Sequence, residues 1–228
     1  MDTLDEISLL SGIPTDELAV YGRQCSWLIY DDHELVVDYA DTTTDVRFIL
    51  SGGVRVIFRA PNGKEMILGE IGAGMFFGEL AAIDGDIRSA NVTATAKSRI
   101  CAMPAAVFRK LLAAHPEVAL EVMQVLTSRI RSLNQRIAEH SFLDAKYRLY
   151  NELIRLSRPR SGKPDQRIIS PPPNQSALAE TIGCRREVVS REIAKLKAEG
   201  IVESSRGGLV LGRPEALSKM LSVAWSGD

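Results

Sequence analysis

The sequence of 228 residues is long enough for one large domain or two modest ones, each with a proper core. Its apolar fraction of 45% and charged fraction of 25% are those of an ordinary globular protein, and no apolar run approaches the roughly 20 residues that span a bilayer. The acidic N-terminus lacks the basic segment and the cleavage site of a signal peptide. We therefore expect a cytoplasmic protein without a membrane partner.

The cysteines give no indication of metal chemistry. Cys25, Cys101 and Cys184 are far apart in the sequence, without a Cys-x-x-Cys spacing and without a nearby histidine. This usage is typical of a reducing cytoplasm, where each cysteine serves as a small buried apolar side chain. We expect neither a metal nor an iron–sulfur site.

The charges are distributed unevenly along the chain. From Phe142 onwards Lys and Arg outnumber Asp and Glu by 15 to 10, whereas the residues before it hold 13 basic and 19 acidic side chains. An acidic front half and a basic back half indicate two domains, of which the second contacts a polyanion. The alternative is a chance fluctuation of surface charge.

Residues 25–103 have the pattern of short antiparallel strands. Apolar and polar residues alternate around Gly-rich turns, and Asn62-Gly63 between two such runs is a strong hairpin signal. In the first of these runs Val54, Val56 and Phe58 are expected on one face. Many short strands with closely spaced turns predict an antiparallel sandwich or barrel.

After Pro104 the apolar period becomes helical, with a predicted break at His115-Pro116. The second helical segment carries an apolar seam at alternating steps of three and four residues. Its members are Met123, Leu126, Ile130, Leu133 and Ile137. So narrow a stripe on a polar helix favours a homodimer, although a helix packed on its own β-domain is the alternative.

The basic half begins with another predicted helix in residues 142–157, followed by a loop-like segment at 158–167 that is rich in Pro, Gly and charge. Next, Asn174 is a plausible N-cap for a short helix, Gln175–Ile182. A tight turn at Gly183-Cys184 leads into a helix over residues 185–198. Residues 202–211 complete the unit as a two-stranded wing, so the pattern is that of a winged helix-turn-helix.

The second helix of that unit has one apolar face and one polar face. The polar face presents Arg186, Glu187, Ser190 and Arg191 near the N-terminal end, where a recognition helix touches base edges. Arg can donate two hydrogen bonds to guanine, Glu can accept one from cytosine, and Arg185 could contact phosphate. These features predict binding to double-stranded DNA; the alternative is a solvated, salt-bridged helix face.

Residues 76–92 place charges inside an apolar segment. Glu79 and Arg88-Ser89 lie where water is expected to be scarce. One explanation is an ion pair between Glu79 and Arg88, but buried pairs stabilise poorly and often have a function. A ligand with a hydroxyl group for Glu79 and an anionic group for Arg88 and Ser89 would explain all three residues. A nucleotide has both kinds of group.

Two of these segments resemble one known family. Residues 77–90, FGELAAIDGDIRSA, resemble the phosphate-binding cassette of cyclic-nucleotide-binding domains, and residues 182–202 resemble the helix-turn-helix of the CRP/FNR transcription regulators. The likeness extends over nearly the whole chain and is closest to the cyclic-AMP receptor branch. It implies an α+β fold with an antiparallel β-roll in residues 1–104, a helical hairpin and long dimerisation helix in 105–141, and a winged helix-turn-helix domain in 142–228.

The resemblance also implies roles for individual residues. Glu79 would hold the ribose 2′-hydroxyl of cyclic AMP, and Arg88 and Ser89 its phosphate. Further ligand contacts would come from the backbone or side chains of Gly78, Leu80, Ala90 and Arg129. At the DNA, Arg186, Glu187 and Arg191 would read a TGTGA-like half-site, with Asn174, Gln175, Ser176 and Arg185 near phosphates. Residues 158–167 would contact RNA polymerase.

The chain departs from that branch at one point. Leu133-Asn134 replaces the Thr-Ser pair that the branch places near the purine, so cyclic GMP is a second candidate ligand. Two further hypotheses stay open at this point. One is a DNA-binding regulator that responds to a different effector, or to none, with Glu79 and Arg88 as a structural pair. The other is an enzyme, for which the sequence offers no catalytic constellation.

Overall fold

The computed structural model describes residues 3–63 and 65–226, and the chain divides into two compact units, residues 1–129 and 130–228. Among its described residues the first unit contains eight strands: β1 Ser26–Tyr30, β2 Leu35–Val37, β3 Val46–Ser51, β4 Gly53–Arg59, β5 Glu65–Gly72, β6 Phe76–Phe77, β7 Asn91–Ala94 and β8 Ser98–Met103. They form two antiparallel sheets, ordered β1-β8-β3-β6 and β2-β7-β4-β5. The predicted antiparallel β-roll is confirmed.

Helices surround this roll: α1 Thr15–Gly22, α2 Glu79–Asp84, α3 Ala105–Ala114 and α4 Pro116–Phe142. The predicted break at His115-Pro116 separates α3 from α4, because a proline cannot continue the hydrogen-bond ladder of a preceding helix. A buried core joins the sheet containing β3 and β8 to α1, α3 and the first turns of α4, with Phe48, Phe76 and Phe108 at its centre. The 27-residue α4 then passes from the first unit into the second.

One prediction for β4 is wrong. Val54 is fully buried, but Phe58 is 42% exposed, and Ile57 of the opposite parity is buried in its place. The β4–β5 register shifts between Val56 and Ile57, so the simple alternation does not extend to the end of the hairpin. The ring of Phe58 instead meets the edge of Tyr39.

The described part of the second unit, up to residue 226, contains four helices and four strands besides the end of α4. They are α5 Ala145–Leu156, β9 Arg158–Arg160, β10 Lys163–Ile169, α6 Gln175–Ile182, α7 Arg186–Ala198, β11 Val202–Ser205, β12 Gly208–Leu211 and α8 Pro214–Ser226. The strands form one antiparallel sheet, ordered β11-β12-β10-β9. The predicted helix-turn-helix and wing are confirmed.

Two parts of this unit differ from expectation. Residues 158–167, predicted as a loop, form a hairpin, because β10 pairs with β12 over three residue pairs and buries Ile169. The close approach of β10 to β12 also explains why residue 208 is a glycine, since a Cβ at Gly208 would lie 2.1 Å from the carbonyl oxygen of Ile169. The helix α8 was not predicted; it packs Leu217 and Leu221 into the core of the unit. Among the described residues, no helix is long and apolar enough to cross a membrane.

Candidate functional site

The turn after β6 brings two parts of the predicted ligand site together. Gly78 has a φ of +80° and begins α2, and a Cβ at this position would lie 2.5 Å from Nη1 of Arg88 and 2.8 Å from the carbonyl oxygen of Asp45. Only glycine combines this backbone conformation with such close neighbours. The glycine at position 78 therefore allows the backbone to pass directly against the guanidinium of Arg88.

Arg88 lies inside a ring of oxygen acceptors and is only 3% exposed. Its nitrogens donate to the hydroxyl of Thr43 at 3.2 and 3.3 Å, to the carbonyl of Gly78 at 3.1 Å, and to the carbonyl and carboxylate of Asp45 at 2.9 and 3.0 Å. Backbone bonds to Ala40 and Asp41 fix the residue further. The guanidinium is thus held in one orientation before any ligand contact.

Asp45 was missed by the sequence analysis and is the counter-ion of this cluster. Its second carboxylate oxygen accepts from Nε of Arg47 at 2.6 Å, so one carboxylate bridges two buried guanidinium groups. Burial lowers the pKa of Arg88 below its ordinary value, and the charge of Asp45 opposes that shift. The carboxylate of Asp41 also interacts electrostatically with both arginines, so two carboxylates lie within electrostatic range of the two guanidinium groups.

Glu79 is 4% exposed and has a different partner. Its Oε1 accepts from Nη1 of Arg129 at 2.6 Å, while Nη2 of Arg129 donates to the carbonyl of Phe76 at 2.6 Å. The Arg129 guanidinium also lies over the Phe76 ring, 5.2 Å from its centroid. The carboxylate of Glu79 is therefore tied to the long helix α4.

The ion pair between Glu79 and Arg88 that the sequence left open is not formed. Each side chain has its own partner, Arg129 for Glu79 and Asp45 for Arg88. Of the other predicted ligand residues, Leu80 and Ser89 are exposed and Ala90 is buried, all in the segment around Glu79 and Arg88. Leu133 and Asn134 are exposed on α4 in the second unit.

The helix-turn-helix begins at a side-chain cap. The Oδ1 of Asn174 accepts from the backbone N–H of Ser176 at 2.8 Å, as the sequence predicts. The turn depends on Gly183, whose φ is +65° and where a Cβ would lie 2.9 Å from Cε1 of His140. Desolvation, followed by the charge of Arg148, lowers the pKa of His140 below its ordinary value.

The predicted recognition helix α7 has the expected two faces. Val189, Ile193 and Leu196 are buried in the core of the second unit. The polar residues predicted to contact DNA from this end of α7 are exposed: Arg185, Arg186, Glu187, Ser190 and Arg191. Of the three predicted at the start of α6, Asn174 is exposed, whereas Gln175 and Ser176 are partly buried. Three cations at the exposed N-terminal end give this face the charge that phosphate contacts require.

The apolar seam of α4 is mostly uncovered. Met123, Ile130, Leu133 and Ile137 are between 48% and 64% exposed, whereas Leu126 packs partly against the core of the first unit. Isolated exposed apolar residues are ordinary, but a continuous stripe on one helix indicates an interaction surface. We define these four exposed residues as the α4 stripe.

A second polar cluster, also missed by the sequence analysis, fixes the end of α4 on α5. Arg155 donates to Glu139 at 2.8 Å and also to Glu152, and both glutamates are 4% exposed. Arg136 lies 3.8 Å from Glu152. Because these buried charges are mutually paired, the cluster has a structural explanation. Among the described residues, no group of three or more His, Cys, Asp or Glu side chains could hold a metal.

Comparison with known proteins places both units in families. Residues 28–115 match the cyclic nucleotide-binding domain, and residues 147–220 match the Crp-like helix-turn-helix domain. The chain belongs to the CRP/FNR family of transcription regulators.

Relatives are similar over most of the chain. A CRP-like cAMP-activated global transcriptional regulator of Mycobacterium tuberculosis is 24% identical over 222 residues, covering 95% of this chain and 99% of that protein. The cAMP-activated global transcriptional regulator CRP of Haemophilus influenzae is 26% identical over 176 residues, covering 77% and 79% of the two chains. A solved CooA mutant from Carboxydothermus hydrogenoformans has a TM-score of 0.80 at 20% identity, covering 97% and 96%, and supports the fold.

Proposed function

We propose that this CRP/FNR regulator is a homodimer that binds cyclic AMP in its β-roll and, in that state, a palindromic TGTGA-like DNA site. The observation that carries the proposal is the pair of buried, oppositely charged side chains Glu79 and Arg88, which flank Gly78 without pairing with each other. Two preoriented charges of opposite sign suit a ligand that has both a hydroxyl group and an anionic group.

The phosphate would bind at Arg88. Its planar fork is already oriented by Thr43 and Asp45, so little side-chain entropy is lost when a phosphate oxygen arrives. The phosphate would then replace the Asp45 carboxylate at the Arg88 guanidinium. Ser89 is exposed beside Arg88 and supplies a hydroxyl donor for the same phosphate.

The ribose would bind at Glu79 and thereby influence α4. A 2′-hydroxyl that donates to Glu79 would share the carboxylate that already accepts from Arg129, and would so alter that ion pair. Because Arg129 is part of α4, ligand binding changes which contacts that helix makes. This gives the ligand different affinities for two arrangements of the helix, the condition for an allosteric effect.

The α4 stripe would form the dimer contact. Two copies of the stripe packed about a twofold axis bury the apolar side chains that one chain leaves exposed. A dimer presents two α7 helices, and reading successive major grooves requires them about 34 Å apart. The β9–β10 hairpin, which contains residues 158–167, is on the surface and would contact RNA polymerase.

A second candidate effector follows from the site itself. All three guanidinium nitrogens of Arg88 already donate to acceptors within the protein. In addition, α4 carries Leu133-Asn134 where a Thr-Ser pair would meet the purine of cyclic AMP. Cyclic GMP or another anionic effector would use the same Arg88 with a different base contact. DNA binding by α7 is common to both candidates.

The first experiment is calorimetric titration of the purified protein with cyclic AMP and with cyclic GMP. Each titration is repeated with a duplex that contains two inverted TGTGA half-sites. We expect one nucleotide to bind, and the duplex to tighten its binding by about 5- to 150-fold, because coupling between two sites is reciprocal. No heat from either nucleotide, with the DNA still bound, would identify a regulator with a different effector.

Glu187→Ala tests the recognition helix. We expect the variant to lose discrimination at one base pair of each half-site, at a cost of about 1–3 kcal/mol, with the salt dependence of binding unchanged. Fluorescence anisotropy with single-substituted duplexes measures both quantities. Glu199→Ala, the same change at the exposed far end of this helical segment, is the control and should leave specificity intact. Equal losses on all duplexes would place Glu187 away from the bases.

A further inference from the structure

A buried tyrosine of the second unit is hydrogen-bonded to a glutamate of the recognition helix. Tyr150, in α5, is 2% exposed, and its hydroxyl donates to Oε1 of Glu192 in α7. Burial, followed by the hydrogen bond to Glu192, raises the pKa of Tyr150, so the hydroxyl stays protonated and remains a donor. A side-chain bond therefore joins α5 to α7.

Glu192 lies on the opposite side of α7 from the residues predicted to contact bases. Successive residues of a helix are about 100° apart, so Glu192 lies about 140° around the axis from Glu187 and about 160° from Ser190. The side chain is partly buried, next to the apolar face of α7. The carboxylate thus holds α7 from behind, where DNA does not approach.

The helix that carries Tyr150 is itself firmly held. Leu153 of α5 is fully buried in the core of the second unit. Arg148 of α5 donates to the carbonyl of Leu143 at 2.7 Å and to the carbonyl of Ile182 at 3.0 Å. One guanidinium therefore joins α5 to the residue after α4 and to the last residue of α6. Tyr150 projects from this fixed support.

The bond restrains the rotation of α7 about its own axis. Apolar contacts are non-directional, so the buried face alone tolerates small rotations, whereas a hydrogen bond requires a defined distance and angle. Among residues 3–63 and 65–226, the bond from Tyr150 is the only side-chain hydrogen bond between α7 and another helix. A rotation by about 20° would move an atom about 6 Å from the axis by about 2 Å, enough to break a base contact.

We propose that Tyr150 is a positioning residue for DNA recognition, and that its bond to Glu192 sets the rotation of α7 at which Glu187 and Arg191 reach their base pairs. The inference rests on the proposed role of α7 in reading DNA. Stability alone does not explain this polar pair, because two apolar side chains of similar shape would serve the contact about as well. A directional bond limits the helix to one orientation.

Tyr150→Phe tests the role because it removes the hydroxyl and keeps the ring. Fluorescence anisotropy measures binding of the full-length protein, with cyclic AMP present, to a duplex with two inverted TGTGA half-sites and to duplexes with one base pair changed. We expect the ratio of the two affinities to fall by about fivefold, the lower end of what one base contact contributes. The salt dependence should stay unchanged, because the cations near phosphates are the same.

Variants of Glu192 extend the test. Glu192→Ala should lose about as much discrimination as Tyr150→Phe, and the double variant no more than either, because both remove the same bond. Glu192→Gln retains an acceptor for the hydroxyl, so it should keep most of the discrimination that Glu192→Ala loses. If Tyr150→Phe does not fold, the difference between these two variants of Glu192 decides the question.

Tyr147→Phe is the matched control. It makes the same change on the same helix, at a ring that packs against that of Tyr150 with 5.8 Å between centroids, and it should leave the discrimination unchanged. A wild-type protein that binds all duplexes equally would refute the proposed reading of DNA by α7. If the wild type discriminates, the positioning role alone is overturned by a Tyr150→Phe protein that discriminates equally well, or by one that loses affinity for all duplexes by the same factor.

Discussion

Arg88→Ala is expected to abolish the response to cyclic AMP. Removing one partner of a buried, hydrogen-bonded charge contact costs about 2–5 kcal/mol, so nucleotide affinity should fall by at least roughly thirtyfold. Stimulation of DNA binding by the nucleotide should disappear with it, whereas weak, salt-dependent DNA binding through α7 should persist. Isothermal titration and anisotropy on the same preparation measure the two properties.

Two further variants separate ligand binding from folding. Arg55→Ala removes another arginine of the same unit, one that forms a surface ion pair with Glu70 at 2.6 Å. This variant should change neither the nucleotide affinity nor the stimulation of DNA binding. Arg88→Lys keeps the charge but loses the planar fork, so we expect an intermediate affinity. Because Arg88 also binds Thr43 and Asp45, each variant is first checked by thermal unfolding. A folded Arg88→Ala protein with unchanged nucleotide affinity would refute the phosphate site.

Ile137→Glu is expected to dissociate the dimer. The residue is in the α4 stripe, and across a twofold axis the substitution places two carboxylates in one apolar contact. Like charges brought together in this way cost several kcal/mol, so the dimer dissociation constant should rise by about a thousandfold. DNA affinity should fall as well, since only a dimer engages both half-sites. Sedimentation velocity and anisotropy measure the two effects.

The chain offers a matched control for this substitution. Ile29, in β1 of the first unit, has the same exposed fraction of 64% as Ile137. Ile29→Glu introduces the same charge on an equally exposed isoleucine outside the α4 stripe, and it should leave the oligomeric state unchanged. A monomeric wild-type protein, or an Ile137→Glu protein that is still dimeric, would contradict the assignment of the stripe.

The elements that depend on local chemistry were predictable from sequence. Asn174 can cap α6 because its own side chain reaches the N–H of Ser176, and the break at Pro116 follows from its missing N–H. The buried face of α7 followed from helical periodicity. In each case the residues that determine the structure are neighbours in the sequence.

The elements that depend on distant pairing were not predictable in the same way. Residues 158–167 carry Pro, Gly and charge, typical of a loop, and form strands because β12 offers a free edge to β10. Likewise Asp45 precedes β3 without a motif of its own, and only the fold brings it to Arg88.

Asp45 gives the proposed phosphate site an internal occupant. Since its carboxylate already neutralises Arg88, capture of a phosphate is an exchange of one anion for another and not the filling of a bare positive charge. The contribution of Arg88 to ligand affinity is then the difference between its interaction with the phosphate and its interaction with Asp45. The guanidinium can therefore be firmly held while the ligand still dissociates readily. A regulator that must release its signal when the ligand concentration falls benefits from such a substitution reaction.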